Sequence, residues 1–359
     1  MSLTEANVLD ALRVVIDPDL HKDIVSLGFV KQIEIEGSKV SAVIELTTPA
    51  CPVKDILEQQ CRDAIAGIAG VEEVNVEMTA AVRPRQTPTD DLLPGVKQVI
   101  AIASGKGGVG KSTVSVNLAV ALADAGAKVG LMDADVYGPS IPMMMGCPDL
   151  RPFQKEGKIL PITKHGISLM SLGFLMEPGQ AVIWRGPMVA GTVRQLLSDV
   201  DWGELDYLLV DLPPGTGDAP MTLAQMAPLA GVVIVTTPHH VAANIAGKSV
   251  VLFRRLNAPI LGVVENMAQY SCPSCGEQSR IFAGLSGEQL AEEYKVPFLG
   301  SVPLDPQIST SGDEGIPAVR LHPESAYAEA FRDIAGTFAQ QVSIRSFARK
   351  DVIRMGESA

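Results

Sequence analysis

The stretch Gly105-Lys106-Gly107-Gly108-Val109-Gly110-Lys111-Ser112-Thr113 decides the fold of this chain. It fits the phosphate-binding pattern G-x-x-x-x-G-K-[ST], and it lies between an apolar run that predicts a strand and a segment that predicts a helix. The glycines allow the backbone amides to point at an anion, and the helix N-terminus adds partial positive charge. Lys111 supplies a full charge to the outer phosphates, and the Ser112 hydroxyl is placed to bind Mg²⁺. The stretch therefore predicts a nucleotide site in an α/β fold.

A second lysine, Lys106, follows the first glycine of the loop and narrows the class of site. The form K-G-G-x-G-K-[ST] resembles the deviant phosphate loop of the MinD/ParA, nitrogenase iron-protein and Mrp-type ATPases. The resemblance implies that two protomers bind ATP face to face and that Lys106 reaches the partner's phosphates, where it would neutralise transition-state charge. The alternative is a solvated loop lysine. We expect the whole loop, residues 105–113, to bind nucleotide.

Composition describes a chain with a large hydrophobic core. Of 359 residues, 47% are apolar and 19% are charged, which leaves room for two folded domains. The net charge of −12 disfavours broad nucleic-acid binding, because such binding needs a basic face. We find no signal-peptide pattern and no apolar run of membrane-spanning length, and five cysteines in such a chain do not indicate a disulfide framework. We expect a cytoplasmic protein without nucleic-acid or membrane partners.

Breaks in hydrophobic periodicity divide the chain. Residues 1–82 predict a small α/β domain, with helices at 5–16 and 53–68 and strands at 30–35, 39–46 and 71–78. Residues 83–95 are rich in proline and polar residues and predict a linker. Residues 96–359 predict the P-loop ATPase domain, although the sparse apolar face of residues 343–359 favours a solvated or frayed end.

The second domain alternates strands and helices, which predicts a mostly parallel, doubly wound sheet. The expected strands are 99–103, 128–132, 207–210, 231–235, 260–264 and 298–300, and the expected helices are 114–124, 220–226, 241–256, 287–294 and 324–342. Ligands of such sheets bind at the carboxyl ends of the strands. The remaining polar motifs of this domain fall at those ends.

Three aspartates follow predicted strands of the second domain. Asp133 and Asp135 are two residues apart and point the same way, so that they could orient a water or shape a Mg²⁺ shell, although such pairs also form turns. Asp211 ends an apolar strand, the Walker B arrangement, and is predicted to hold Mg²⁺ through water. Gly215 would let the next loop reorganise around a γ-phosphate, whereas Asp218 also suits a helix cap.

The identity of the nucleotide base is indicated by two observations. The guanine signature N-K-x-D is absent, which argues against a GTPase. Asn266 follows a predicted strand and matches the asparagine that contacts adenine in related ATPases, with a turn asparagine as the alternative. We therefore expect ATP with Mg²⁺.

Cys272-Pro273-Ser274-Cys275-Gly276 contains a C-x-x-C pair, whose two thiolates can share one metal. A zinc ion or a 4Fe–4S cluster usually takes four ligands, and the other cysteines, at 51, 61 and 147, are isolated. One protomer therefore offers half a site, and a two-fold dimer would supply four thiolates across its interface. Spacing alone leaves a bridging cluster, a bridging zinc and a dithiol redox pair open.

The order of the motifs resembles one family. The deviant loop, followed by D-A-D-V-Y-G-P-S, D-L-P-P-G-T-G-D and C-P-S-C, is similar to the Mrp/ApbC iron–sulfur carrier ATPases over residues 95–345. Residues 1–82 resemble the small iron–sulfur-assembly-associated domain of many bacterial members. The stretch Thr47-Thr48-Pro49-Ala50-Cys51-Pro52 matches its cysteine loop, where Cys51 is either a transfer thiol or a semi-buried small residue.

The resemblance implies a homodimeric carrier. It would take a labile 4Fe–4S cluster on Cys272 and Cys275 from an assembly scaffold and hand it to apo-proteins, with ATP binding and slow hydrolysis as the switch. It also implies that Asp135 positions the attacking water, with Lys106 and Asp211 completing the catalytic set. Two rivals are a MinD/ParA-type positioning ATPase, which leaves the cysteine pair unexplained, and a zinc-bridged ATPase scaffold.

Overall fold

The computed structural model describes residues 3–85, 91–176, 186–272, 275 and 277–356, and the chain separates into two compact units. The first unit takes the residues up to Arg83 together with those from Ser343 onward, and the second spans Pro84–Val342. The elements of the first unit are α1 (Glu5–Leu12), β1 (Ile16–Asp17), β2 (Lys22–Asp23), β3 (Val30–Glu36), β4 (Lys39–Leu46), α2 (Lys54–Ala66) and β5 (Glu73–Ala80).

The first unit is a three-stranded sheet packed against two helices. Strand β4 pairs antiparallel with β3 and parallel with β5, because α2 crosses between β4 and β5. Alternate residues of β4 are buried, so one face of the sheet lies on the core. Helix α1 ends at Leu12, earlier than expected, because Ile16–Asp17 pairs with Lys22–Asp23 as a short strand.

The expectation of a frayed end after residue 342 was wrong for the part that is described. Helix α11 runs from Ala326 to Gly356, and its later residues belong to the first unit. Phe347 packs on the core of this unit, with its ring 6.2 Å from that of Phe29 and the Arg83 guanidinium 3.5 Å above it. Thr47 and Ser343 share a hydrogen bond of 2.7 Å.

The second unit contains the other elements. In chain order they are β6 (Val96–Ser104), α3 (Lys111–Asp124), β7 (Val129–Asp133), α4 (Ile141–Met144), β8 (Gln154–Lys155), β9 (Lys158–Ile159), β10 (Ile162–Lys164), β11 (Ile167–Ser171), α5 (Gly186–Ser198), β12 (Leu205–Asp211), α6 (Asp218–Met226), β13 (Gly231–Thr236), α7 (His240–Arg255), β14 (Ile260–Glu265), β15 (Tyr270–Ser271), β16 (Gln278–Ser279), α8 (Gly287–Tyr294), β17 (Phe298–Ser301), α9 (Pro306–Glu314), α10 (Ala318–Leu321) and the first part of α11.

The sheet of the second unit has eight strands in the order β10-β11-β7-β12-β6-β13-β14-β17, and only the edge strand β10 runs antiparallel to its neighbour. Strands β7, β13 and β14 are buried throughout, as expected for a parallel sheet covered on both faces. The chain leaves β6 toward β7 through α3 and leaves β13 toward β14 through α7, so right-handed crossovers place these helices on opposite faces. The predicted doubly wound α/β fold is confirmed.

Several elements of the second unit were not predicted, namely α4, β8, β9, β10, β11, α5, β15, β16, α9 and α10. Strand β11 extends the parallel sheet beyond β7, and β10 closes that edge. In the described residues, no helix combines the length and apolar character needed to cross a bilayer. The strands that matter for the candidate site are β6, β7, β12 and β14, whose carboxyl ends open toward the loops described next.

Candidate functional site

The loop between β6 and α3 has the backbone geometry of a phosphate cradle. Gly108 and Gly110 have φ values of 77° and 78°, in the left-handed region that favours glycine. A Cβ added to Gly110 would lie 2.0 Å from Nδ2 of Asn266, and one added to Gly105 would lie 2.5 Å from the backbone of Ile245. The loop therefore needs glycine at positions 105 and 110. The backbone amides at the start of α3 fit the phosphates of a nucleotide.

Asp211, at the end of β12, is the centre of the polar network and is fully buried. Its Oδ2 accepts hydrogen bonds from Lys111 Nζ at 2.7 Å and from Ser112 Oγ at 2.6 Å. Its Oδ1 accepts from Ser115 Oγ at 2.6 Å. A hydroxyl and a carboxylate side by side are the ligands that Mg²⁺ prefers, so Ser112 and Asp211 fit the expected ion.

The two aspartates at the end of β7 differ in exposure, because the Asp133 carboxylate is fully buried and the Asp135 carboxylate is partly exposed. Asp133 accepts from Ser171 Oγ at 2.8 Å, and burial, with the Asp211 charge nearby, raises its pKa to about 7. Asp135 is partly buried, and its Oδ2 lies 3.7 Å from Lys111 Nζ. Burial also raises the pKa of Asp135. Asp135 is thus the member of the pair that can reach a bound water beside the lysine.

Replacing Asp133 with asparagine is expected to stabilise the nucleotide-free protein at about pH 8 more than at about pH 4. The folded state keeps a proton on Asp133 that the unfolded chain releases, so the free energy of unfolding falls as the pH rises from about 4 to about 7. Asparagine can still accept from the Asp135 amide and can donate to Ser171. Thermal unfolding across this range measures the effect, and parallel profiles for the variant and the wild type would contradict the raised pKa.

Asn266 lies against the phosphate loop. Its Nδ2 donates to the carbonyl oxygen of Val109 at 2.9 Å, and its backbone amide donates to Thr236 at 2.8 Å. The side chain is 4% exposed. The structure therefore brings Asn266 to the same loop as Lys111 and Ser112, on the side of β14.

Lys106 and the loop after Asp211 meet at the start of the phosphate loop. Ser104 Oγ donates to the Lys106 carbonyl at 3.1 Å, and the Gly215 amide donates to the Ser104 carbonyl at 2.9 Å. The half-buried Lys106 side chain makes no ion pair with a described residue, unlike Lys111. Gly217 caps α6, so Asp218 lies in the first turn of that helix instead of at its cap.

The two cysteines lie on a short hairpin, residues 270–279, which we call the cysteine hairpin. Strands β15 and β16 pair antiparallel, and the Cys272 amide donates to the Glu277 carbonyl at 3.0 Å. Cys272 is half-buried and Cys275 is exposed, while Pro273, Ser274 and Gly276 lie outside the described residues. Within the described part of the chain, no group of three or more histidines, cysteines and acids is arranged to hold a metal. One protomer offers a two-thiol donor set, which suits iron or zinc.

Cys51 belongs to the first unit and is half-buried. Burial, the largest cause, raises the pKa of its thiol to about 11. A thiol with that pKa is protonated at neutral pH and is a weak nucleophile and ligand. This environment favours the semi-buried interpretation of Cys51 over a transfer thiol.

Two serines of the site were not predicted. Ser115 is buried on α3, and its position three residues after Ser112, on the same face of the helix, was the signal that could have identified it. Ser171 ends β11 and supports Asp133, but β11 itself was missed, so its position in the sheet was not available from the pattern.

Comparison with protein families identifies both units. Residues 95–339 match the model described as "NUBPL iron-transfer P-loop NTPase", and residues 5–78 match the model described as "Iron-sulfur cluster assembly protein". A protein of Deinococcus radiodurans named "Iron-sulfur cluster carrier protein" is 47% identical over 94% of this chain and 96% of its own length. An Arabidopsis thaliana protein named "Fe-S cluster assembly factor HCF101, chloroplastic" is 44% identical, and the match covers 94% of this chain and 64% of that one.

Solved structures agree with these matches. A nucleotide-binding protein from Archaeoglobus fulgidus in complex with ADP is 39% identical, with a TM-score of 0.59, and the match covers 68% of this chain and 98% of that one. The MinD protein of Pyrococcus horikoshii, solved with Mg-ADP, is 26% identical with a TM-score of 0.50 over 66% of this chain and 94% of that one. The resemblance found in the sequence is confirmed: the chain belongs to the iron-transfer P-loop NTPase family, with an iron–sulfur cluster assembly domain in its first unit.

Proposed function

We propose that this protein is an ATP-dependent carrier of a 4Fe–4S cluster, which it accepts from an assembly scaffold and delivers to apo-proteins. The observation that carries the proposal is the placement of the cysteine hairpin. Cys272 follows Asn266 by six residues, and Asn266 contacts the phosphate loop. The names of the bacterial relatives, among them "Iron-sulfur cluster carrier protein", support the same function.

A homodimer completes the cluster site in this proposal. Each protomer contributes Cys272 and Cys275, and two-fold symmetry then supplies four thiolates to one cluster at the interface. A cluster held between two exposed hairpins exchanges more readily than one enclosed in a core. Lys106 supports the same assembly, since it makes no ion pair with a described residue and is available to a second protomer's phosphates.

The nucleotide site acts as a slow switch. Lys111 would hold the outer phosphates of ATP, while Ser112 would bind Mg²⁺ directly and Asp211 would hold it through water. Asp135, 3.7 Å from Lys111, positions the attacking water. During the hydrolysis cycle the dimer then alternates between two states that differ in their affinity for the cluster.

Replacing both Cys272 and Cys275 with alanine is expected to abolish cluster binding and leave nucleotide binding intact. The protein is reconstituted anaerobically with iron and sulfide, and its visible spectrum and iron content are measured. The wild type is expected to absorb at about 400 nm and to hold about four irons per dimer. ADP affinity, compared between the cluster-free forms of the two proteins, should be unchanged, because neither thiol belongs to the phosphate loop.

The matched control is Cys147→Ala, which removes a buried thiol from the same unit outside the cysteine hairpin. It is expected to keep the full iron content. A wild type that binds zinc at about one ion per dimer and no iron would overturn the carrier function in favour of a zinc-bridged scaffold.

A further inference from the structure

The segment that leads into the cysteine hairpin, residues 266–269, is fixed to the phosphate loop, and we call it the first stem. Asn266 donates to the Val109 carbonyl, and its amide fills the space over Gly110, where a Cβ would lie 2.0 Å from Nδ2. Met267 follows with a φ of 58°, a conformation that is costly for a long side chain and persists only where the surroundings impose it. This stem has little freedom to absorb a movement of the loop.

The same stem is held to the sheet up to the hairpin itself. The Ala268 amide donates to the Val302 carbonyl at 3.0 Å, and the Leu304 amide donates to the Gln269 carbonyl at 2.8 Å. Tyr270, the first residue of β15, forms a bridge with Leu304. Each residue between Asn266 and the cysteine hairpin is therefore positioned by its neighbours.

The segment that follows the cysteine hairpin, residues 280–284, is the second stem, and it is connected to the phosphate loop through α7. After the hairpin, the Phe282 ring lies 6.1 Å from the His239 ring, and the Gly284 amide donates to Pro238 at 2.9 Å. A Cβ on Gly284 would lie 2.5 Å from the His240 amide nitrogen, so this stem packs directly on the start of α7. The same helix touches the loop through Ile245, whose backbone would lie 2.5 Å from a Cβ on Gly105.

We propose that these two stems couple the nucleotide site to the cysteine hairpin within one protomer, with Asn266 and Phe282 as the positioning residues. The first stem contacts the phosphate loop directly and the second contacts it through α7, and close-packed interiors transmit small displacements. A nucleotide that orders or shifts the phosphate loop therefore changes the position and accessibility of the Cys272 and Cys275 thiols. Coupling between two sites is reciprocal, so cargo on the thiols also changes nucleotide affinity. The nature of that cargo rests on the proposed function, but the coupling does not.

The test follows the thiols of the cluster-free full chain. The alkylation rates of Cys272 and Cys275 by iodoacetamide are measured by mass spectrometry without nucleotide, with Mg-ADP and with a non-hydrolysable ATP analogue. In the wild type, saturating nucleotide is expected to change these rates at least about fivefold. Cys51, in the first unit, serves as an internal reference whose rate does not change.

The variants are Asn266→Ala and Phe282→Leu, and nucleotide saturation is verified for each by titration. Each variant is expected to reduce the nucleotide-induced change in the alkylation rates of Cys272 and Cys275. Phe282 is half-buried, so this truncation tests the second stem even where Asn266→Ala does not fold. The matched control is Ile281→Ala, which trims a neighbouring side chain that is 54% exposed. The control should keep the wild-type response.

A wild type without a nucleotide response, or a response that survives in both variants, overturns the coupling. If only one of the two variants loses the response, the coupling is assigned to the stem that this variant alters. The result is separable from the cluster assignment, because reconstitution with iron and sulfide tests the cargo and alkylation tests the coupling. A protein that holds no cluster but responds to nucleotide retains the coupling and loses the carrier function.

Discussion

Replacing Asp211 with asparagine is expected to lower the rate of ATP hydrolysis at least about 100-fold. The carboxylate is fully buried and accepts from Lys111, Ser112 and Ser115. Asparagine removes the charge that balances the Lys111 ammonium and that would attract Mg²⁺, and its amide group presents a donor to groups that are already donors. Phosphate release at saturating ATP, measured as a function of Mg²⁺ concentration, checks the prediction.

The matched control for this variant lies on the same strand. Asp206 is near the opposite end of β12, where it pairs with Lys97 and accepts from the Lys128 amide. Asp206→Asn removes a charge of the same kind far from the phosphate loop and should leave hydrolysis within about twofold of the wild type. If Asp211→Asn retained full activity with the same Mg²⁺ requirement, Asp211 would have no role in metal binding.

Replacing Lys106 with alanine is expected to lower hydrolysis by about 10³-fold while nucleotide affinity changes little. A cation that reaches the phosphates of a second protomer stabilises charge in the transition state and contributes little to the ground state. Lys106 suits this role because its side chain makes no ion pair with a described residue of its own protomer. The rate of phosphate release and the affinity for ADP, measured on the same preparation, separate the two effects.

The concentration dependence of hydrolysis adds a second readout for Lys106. If the lysine acts across an interface, the wild-type rate per protomer rises with protein concentration and the Lys106→Ala rate stays low throughout. Lys248→Ala, which removes an exposed lysine from α7, provides the control and should behave as the wild type. Equal loss of affinity and rate in Lys106→Ala would place this lysine in its own protomer's nucleotide site.

The sequence was sufficient for the parts of the fold that depend on local patterns. The strands that became β6, β7, β12, β13 and β14 read as short apolar runs, because a parallel sheet buries both of its faces. Topology rules then placed Asp133, Asp211 and the phosphate loop at neighbouring strand ends, where the structure has Lys111 and Asp211 in contact.

The parts that were missed depend on contacts between distant segments. The contact of Asn266 with Val109 joins the end of β14 to a loop that precedes it by more than half of the domain, and no local pattern encodes it. Strand β10 is only three residues long, below the length at which alternation is readable. Phe347 looked like an isolated apolar residue because the surface that covers it, near Phe29 and Arg83, comes from the first unit.

The participation of helix α11 in the first unit bears on how this chain is made. During synthesis on the ribosome, the segment that contains Phe29 emerges long before the segment that contains Phe347. The strands of the first unit can therefore form before the residue that completes their packing is available. The assembly of this unit waits until the segment around residue 347 has been made, and such long-range closure slows folding. A fragment cut after Arg83 would leave the surface under Phe347 open to water and to other chains.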